Sequence, residues 1–292
     1  MVELVLQTSI NALVAASFIA LIAVGLVLIF GVMRIVNFAH GELFMAGAYV
    51  VWYLYAQQSW PFPLAVIAAG VAVCALGMAM ERLLFRPMRG NQLGGLIMSV
   101  GALFILQVGA VQIGGVNLMK HVPPAVPGAI AIPGFEGVSV PGQRLVVIGV
   151  SVTLLCLTWL LLHRTKVGWA LRACAQDPEA ASLQGISINR YALVAMGLSA
   201  ALAGVAGGIM APLVRVGPYM GHSVIVTAFI VIIVGGVGSV EGAVLAAVLY
   251  SFLDTFITTF FDGSLATIVG LVVMMLVLVV RPTGILGTAE KV

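Results

Sequence analysis

Charge is what this chain has least of. Only 8% of its 292 residues are Asp, Glu, Lys or Arg, where a soluble domain carries about 25%. So few ions cannot cover a water-exposed surface, which excludes an ordinary soluble fold. Cysteine is also scarce. Cys74, Cys156 and Cys174 are an odd set without C-x-x-C spacing, read as apolar fillers and not as a disulfide framework or metal site. The chain has no G-x-x-x-x-G-K-[ST] phosphate loop, no H-E-x-x-H pair and no G-x-S-x-G elbow. An ATP site of its own, a zinc centre and a serine nucleophile are therefore not expected, and neither is any bound cofactor. Without a basic arm or basic patch interleaved with aromatics, nucleic acid is not an expected partner. The N-terminus lacks the basic region and cleavage site of a secretory signal, so its first apolar run reads as a retained span.

What is abundant is apolar: 62% of residues are hydrophobic and the mean hydropathy is +1.20. The solvent must then be lipid. Segments 10–31, 38–58, 62–83, 94–114, 144–162, 191–212, 222–238, 243–261 and 264–280 suit spans of about 20 residues. Of these, 222–238 is short and 38–58 opens on polar residues, so the range is eight to ten spans, with nine central. No period-two alternation of a barrel appears. The expected fold class is all-α, a polytopic transmembrane helix bundle forming one domain over residues 1–292.

Charge placement orients it. If the loop 164–190 is cytoplasmic, alternation puts Arg34, Arg82, Arg86, Arg89, Arg164, Lys166, Arg172, Arg190, Arg281 and Lys291 on its side, ten of the 13 basic residues. Lys120, Arg144 and Arg215 fall outside. That asymmetry fits the positive-inside rule and predicts an outward N-terminus and a cytoplasmic C-terminus. The longest outer connection, 115–143, holds Pro123, Pro124, Pro127, Pro133 and Pro141 and favours turns or short extended pieces.

The loop 164–190 is a polar island. Within it, Asp177 can cap free N–H groups, Pro178 suits a first helical turn, and Gly185 can close the helix in the left-handed conformation. This predicts one short solvated helix, a docking knob for another protein. In the apolar runs the polar residues stand out. Asn37, His40 and Glu42 open a span near the cytoplasmic face, either as part of an inner gate or, with Asn37 as cap and Glu42 against the dipole, as a solvated helix terminus. Gln107 and Gln112 share a span and either line a cavity or hold helices together. Asp254 lies mid-span and should face the bundle interior or water. Small residues at Gly197, Ala201, Gly204 and Gly208 suit close helix packing, and Gly238 and Gly242 repeat the interval. The run Gly235, Gly236, Gly238, Gly242 predicts a helix break.

Glu179-Ala180-Ala181-x-x-x-Gly185 resembles the E-A-A-x-x-x-G core of the cytoplasmic loop of ABC importer permeases. Gly168 to Ala173, Gly185-Ile186-Ser187, Asn37 to Glu42, Gly235 to Gly242 and Arg281-Pro282-x-Gly284 are similar to the branched-chain amino acid permease group of the LivH type. The resemblance implies a pore formed with a second, related permease subunit in the bacterial inner membrane. It also implies two cytoplasmic ATPase subunits that hold ATP and Mg, and an extracytoplasmic binding protein that delivers leucine, isoleucine or valine. Relatives of this build carry urea, short amides or other amino acids. In this picture helix 178–184 moves as a rigid lever, Ala180 and Ala181 permit close approach, and Arg172, Asp177 and Glu179 supply rim charges. A proton-coupled carrier using Asp254 is the competing mechanism.

Overall fold

The computed structural model describes residues 1–114, 119–132 and 135–287. Lys291 and Pro133 lie outside the described residues. Helix α1 (Val2–Met33) is followed by α2 (His40–Val51), which continues through wider turns over Trp52–Gln57. Next come α3 (Phe62–Met80), prolonged by wide turns over Glu81–Phe85, and α4 (Gln92–Gly114). A hairpin of β1 (Ala129–Ile132) and β2 (Phe135–Pro141) leads into α5 (Gly142–Arg164). Two short helices, α6 (Lys166–Gln176) and α7 (Pro178–Leu183), precede α8 (Ile188–Met210). The chain then runs through α9 (Met220–Gly235), α10 (Val240–Phe260) and α11 (Gly263–Val280).

Seven of these helices are long and apolar enough to cross a membrane by themselves. The 16-residue α9 is a shorter apolar helix, and α2 is 12 residues long before its six-residue extension. Each matches one of the nine predicted segments, α9 being the one the sequence marked as short and α2 the one it marked as polar at the start.

Several boundaries differ from the sequence expectation. Helix α1 starts at Val2, not near residue 10. Its 32 residues extend about 48 Å, more than the roughly 30 Å of hydrocarbon. The surplus turns meet the hairpin: Glu3 Oε1 accepts from Gly137 N–H, Gln7 Oε1 accepts from Ser139 N–H, and Arg144 donates to Asn11. The later part of the Pro-rich connection therefore carries a docked hairpin.

Helices α1 and α8 are the most buried of the long spans, while α4, α5, α10 and α11 are mostly exposed on their outer faces. Lipid tails are as apolar as leucine, so close packing rather than the hydrophobic effect holds such helices together. Helix α8 supplies it with small residues. Gly204 and Gly197 lie against Val73, Cys74 and Met78 of α3, and Gly207 meets the Phe44 carbonyl of α2 so closely that no side chain fits. Gly207 is the tightest contact, and the interval counting that picked Gly197, Gly204 and Gly208 passed over it.

Candidate functional site

The contacts divide the bundle into two ends. Glu3, Lys120, Arg144 and Arg215 lie with the hairpin, Lys120 pairing its backbone with Val216 beside Arg215. Arg34, Arg89, α6, α7 and the C-terminal residues lie at the other end. Here the predicted short helix is α7, preceded by a second helix, α6, that the sequence reading did not foresee. Thr165 starts α6 by accepting from Gly168 N–H at 3.1 Å. Asp177 Oδ1 then accepts from Ala180 N–H at 3.0 Å, and Pro178 takes the first turn of α7. Gly185 adopts φ +80°, its N–H donating to Ser182, while Ile186 N–H reaches back to Ala181. This pair of bonds is the Schellman closure that a left-handed glycine permits.

Burial sorts the residues of this knob. Arg172, Asp177, Glu179, Ala180 and Gly185 are exposed, but Ala181 is buried against the bundle at 4% exposure. Ala181 therefore seats α7 on its own protein, and a partner can touch only its neighbours. The residue that sequence reading missed is Leu183, 87% exposed on the outward face of α7. A lone leucine in a polar run was its only signal. Sequence reading also missed Glu81, fully buried in the wide turns after α3. It accepts from Arg89 at 2.6 Å, and Arg89 also donates to Asn189 at the start of α8. That chain of contacts ties the end of α3 to the segment leaving α7.

The second cluster lies inside the bundle. Residues 34–39 are not helical, and they re-enter the bundle before α2 begins. His40 Nε2 lies 3.2 Å from the Ile22 carbonyl, 11 residues before the end of α1 and thus about 16 Å inside it. Irregular backbone at such depth must find internal partners. Ser99 of α4 provides one, its hydroxyl oxygen accepting from Phe38 N–H; its single hydrogen is shared between the Leu96 carbonyl at 2.7 Å and the Val36 carbonyl at 3.3 Å. Asn37 Oδ1 accepts from Ala39 N–H at 3.0 Å, and Asn37 does not serve as the helix cap. Asn37, His40 and Glu42 are all at 0% exposure, which overturns the solvated-terminus reading. Gln107 Nε2 donates to Glu42 Oε1 at 2.9 Å. Gln112, by contrast, is exposed on the outside of α4 and joins nothing in this cluster. A carbonyl can only accept, so His40 Nε2 carries the hydrogen. Its Nδ1 is left buried without a partner, like Glu42 Oε2 and Tyr49 Oη.

Two glycine-rich motifs meet in space. Gly236 and Gly238 take φ +107° and +92° between α9 and α10, where Ser239 caps α10 by accepting from Gly242 N–H. Gly242 packs on Gly235, so Gly238 is a turn residue and not a packing one. The segment after Arg281 folds back onto this turn: Ile285 and Leu286 donate to the carbonyls of Val234 and Gly235, and Gly284 lies against Gly236. The last carbonyls of α9 gain partners that a helix end otherwise lacks.

Asp254 is half-buried on α10, nearer its C-terminal end than the expected mid-span, one turn from Tyr250. It lies apart from the α2 cluster. Gln143, fully buried at the start of α5, accepts from Ala125 N–H and donates to the Ile209 carbonyl. It joins the outer loop to the end of α8.

A helical bundle with a re-entrant polar turn at its centre and a capped, solvated helix pair at its basic end defines a multi-pass membrane protein of the permease class. Residues 8–280 match the family model described as branched-chain amino acid transport system, permease component. The chain is 33% identical to the high-affinity branched-chain amino acid transport system permease protein BraD of Pseudomonas aeruginosa, covering 98% of this chain and 96% of that protein. It is 30% identical to LivH of Escherichia coli over the same shares. The fold also resembles PsaBC from Streptococcus pneumoniae, solved in complex with Fab, with a TM-score of 0.55 at 14% identity, covering 94% of this chain and 91% of that one. The chain belongs to the branched-chain amino acid transport permease family.

Proposed function

We propose that this chain forms the membrane path of an ATP-driven importer for leucine, isoleucine and valine. The observation that carries this reading is α7: an E-A-A-x-x-x-G segment folded as a capped, closed helix that leaves Glu179, Ala180, Ser182 and Leu183 in water. Such a knob fits a cleft on a cytoplasmic ATPase. Two such ATPases hold ATP and Mg. A second, related permease subunit completes the path, and an extracytoplasmic binding protein delivers the substrate to the hairpin end. The basic end faces the cytoplasm of a bacterial inner membrane, and with it the C-terminus. Closure of the ATPases pushes α7, and the push reaches α3 through Asn189, Arg89 and Glu81.

Reconstitution with the ATPases and binding protein tests the reading. ATP-dependent uptake of leucine is expected, with none of urea or short amides; the reverse would assign this chain to the urea or amide carriers of the same build. Uptake that survives without ATPase and collapses with the proton gradient would move the assignment to a carrier built on Asp254.

A further inference from the structure

The first turn of α2 holds an acid that no cation among the described residues reaches. Glu42 is at 0% exposure; its Oε1 accepts from the Gln107 amide, and its Oε2, beside Gly221, has no hydrogen-bond partner. Helices α3, α4, α8 and α9 pack on α2, and α1 reaches it at His40 and Phe44; the titratable side chain of α1 is Glu3, far off at the hairpin. Helix α4 contains no titratable side chain and α3 only Cys74. Helix α9 carries only His222, which is exposed, and α8 has Arg190 and Tyr191 in its first turn, with Arg190 exposed. Beyond α3, Glu81 is already paired with Arg89. On α2 itself stand Tyr49 and His40, the latter donating Nε2–H to Ile22. Among the described residues none of these gives Glu42 a positive partner. A single neutral amide does not replace the hydration of a carboxylate, and a group so placed takes up a proton instead.

We propose that this turn is a proton-holding site, in which Glu42 is a neutral carboxylic acid that latches α4 onto α2 through Gln107. In the neutral acid Oε1 is the carbonyl that accepts from Gln107, and Oε2 carries the hydrogen beside Gly221; one buried hydroxyl without an acceptor costs less than a buried carboxylate without a cation. At that point α2 and α9 approach so closely, Gly41 on Gly221, that any side chain on either would collide. When α9 draws away from α2, water reaches Oε2, and the acid passes its proton to that water and becomes a carboxylate. The bound proton and the closed packing therefore favour one another, as linkage requires. The inference rests on this packing alone and stands whether or not the chain carries amino acids.

Infrared difference spectroscopy on the full chain, assembled with its partner subunits in lipid vesicles at neutral pH, tests it. The wild type is expected to show the C=O stretch of a protonated carboxylic acid. Glu42→Gln abolishes it, and Gln107→Leu, which removes the amide donor, moves it to higher frequency. Because Glu42→Gln can fail to assemble, the Gln107→Leu displacement reads the same group with Glu42 in place. Asp254→Asn subtracts the acid on α10. A wild type lacking the band, or a band that Gln107→Leu leaves unmoved, would overturn the proposal.

Discussion

Residues at the basic end divide into those that build α7 and those that present it. Asp177 builds, and its replacement by Ala removes a cap that contributes about 0.5–2 kcal/mol. We expect faster amide hydrogen exchange across 178–184 and reduced uptake in Asp177→Ala; unchanged exchange would show that the cap is dispensable. Leu183 presents. Burying a leucine side chain contributes about 1.5–3 kcal/mol, so Leu183→Asp should weaken ATPase association by an order of magnitude or more while leaving membrane insertion intact. Copurification in mild detergent measures this, and undiminished ATPase recovery would remove Leu183 from the interface. Ala181 cannot serve as such a probe. It is packed against the bundle, and a bulky residue there would disturb the seating of α7 before it touched a partner. The sequence put Ala180 and Ala181 on one footing because both are small, and only the helix phase separates them.

At the scale of elements, the decisive contact is between α2 and α8. Gly47 lies against the Gly204 backbone and Gly207 against the Phe44 carbonyl, with no room for a Cβ. Inserting side-chain volume into a well-packed interior costs about 1–3 kcal/mol. Gly47→Leu and Gly207→Leu should therefore lower the melting temperature of the detergent-solubilised protein, while Gly101→Leu, where a Cβ meets open space, should not. Equal effects at all three positions would mean that the loss reflects helix chemistry and not this interface. The C-terminal segment forms a second such element. Its bonds to Val234 and Gly235 predict that truncation after Val280 loosens the α9–α10 turn. Faster exchange at Gly236 to Ser239 would reveal it.

For the molecule as a whole, the expected outcome is a strict two-sided arrangement. Cysteines introduced at Glu3 and Gln176 should react with membrane-impermeant reagents from opposite faces, the first from outside and the second only from within. Labelling of both from one face would contradict the path of α1 to α5. The exposed apolar faces of α4, α5, α10 and α11 give the bundle ample surface to present to lipid or to a second permease subunit.

Composition alone required a lipid solvent, and the spacing of apolar runs set the helix count, because hydrocarbon thickness fixes how many residues a span needs. The cap and stop of α7 were equally legible, since Asp-Pro and Gly act on backbone groups a few residues away. Depth was not legible. Asn37, His40 and Glu42 look like a wet helix terminus in one dimension. They are buried because residues 34–39 fold back into the bundle beside Ile22 of α1 and Ser99 of α4, partners that only the packed chain brings near. The same holds for Glu81 with Arg89, and for the C-terminal residues on the Gly236 turn. Local backbone chemistry is written along the sequence, whereas the partner of a buried polar group is chosen by which helices meet.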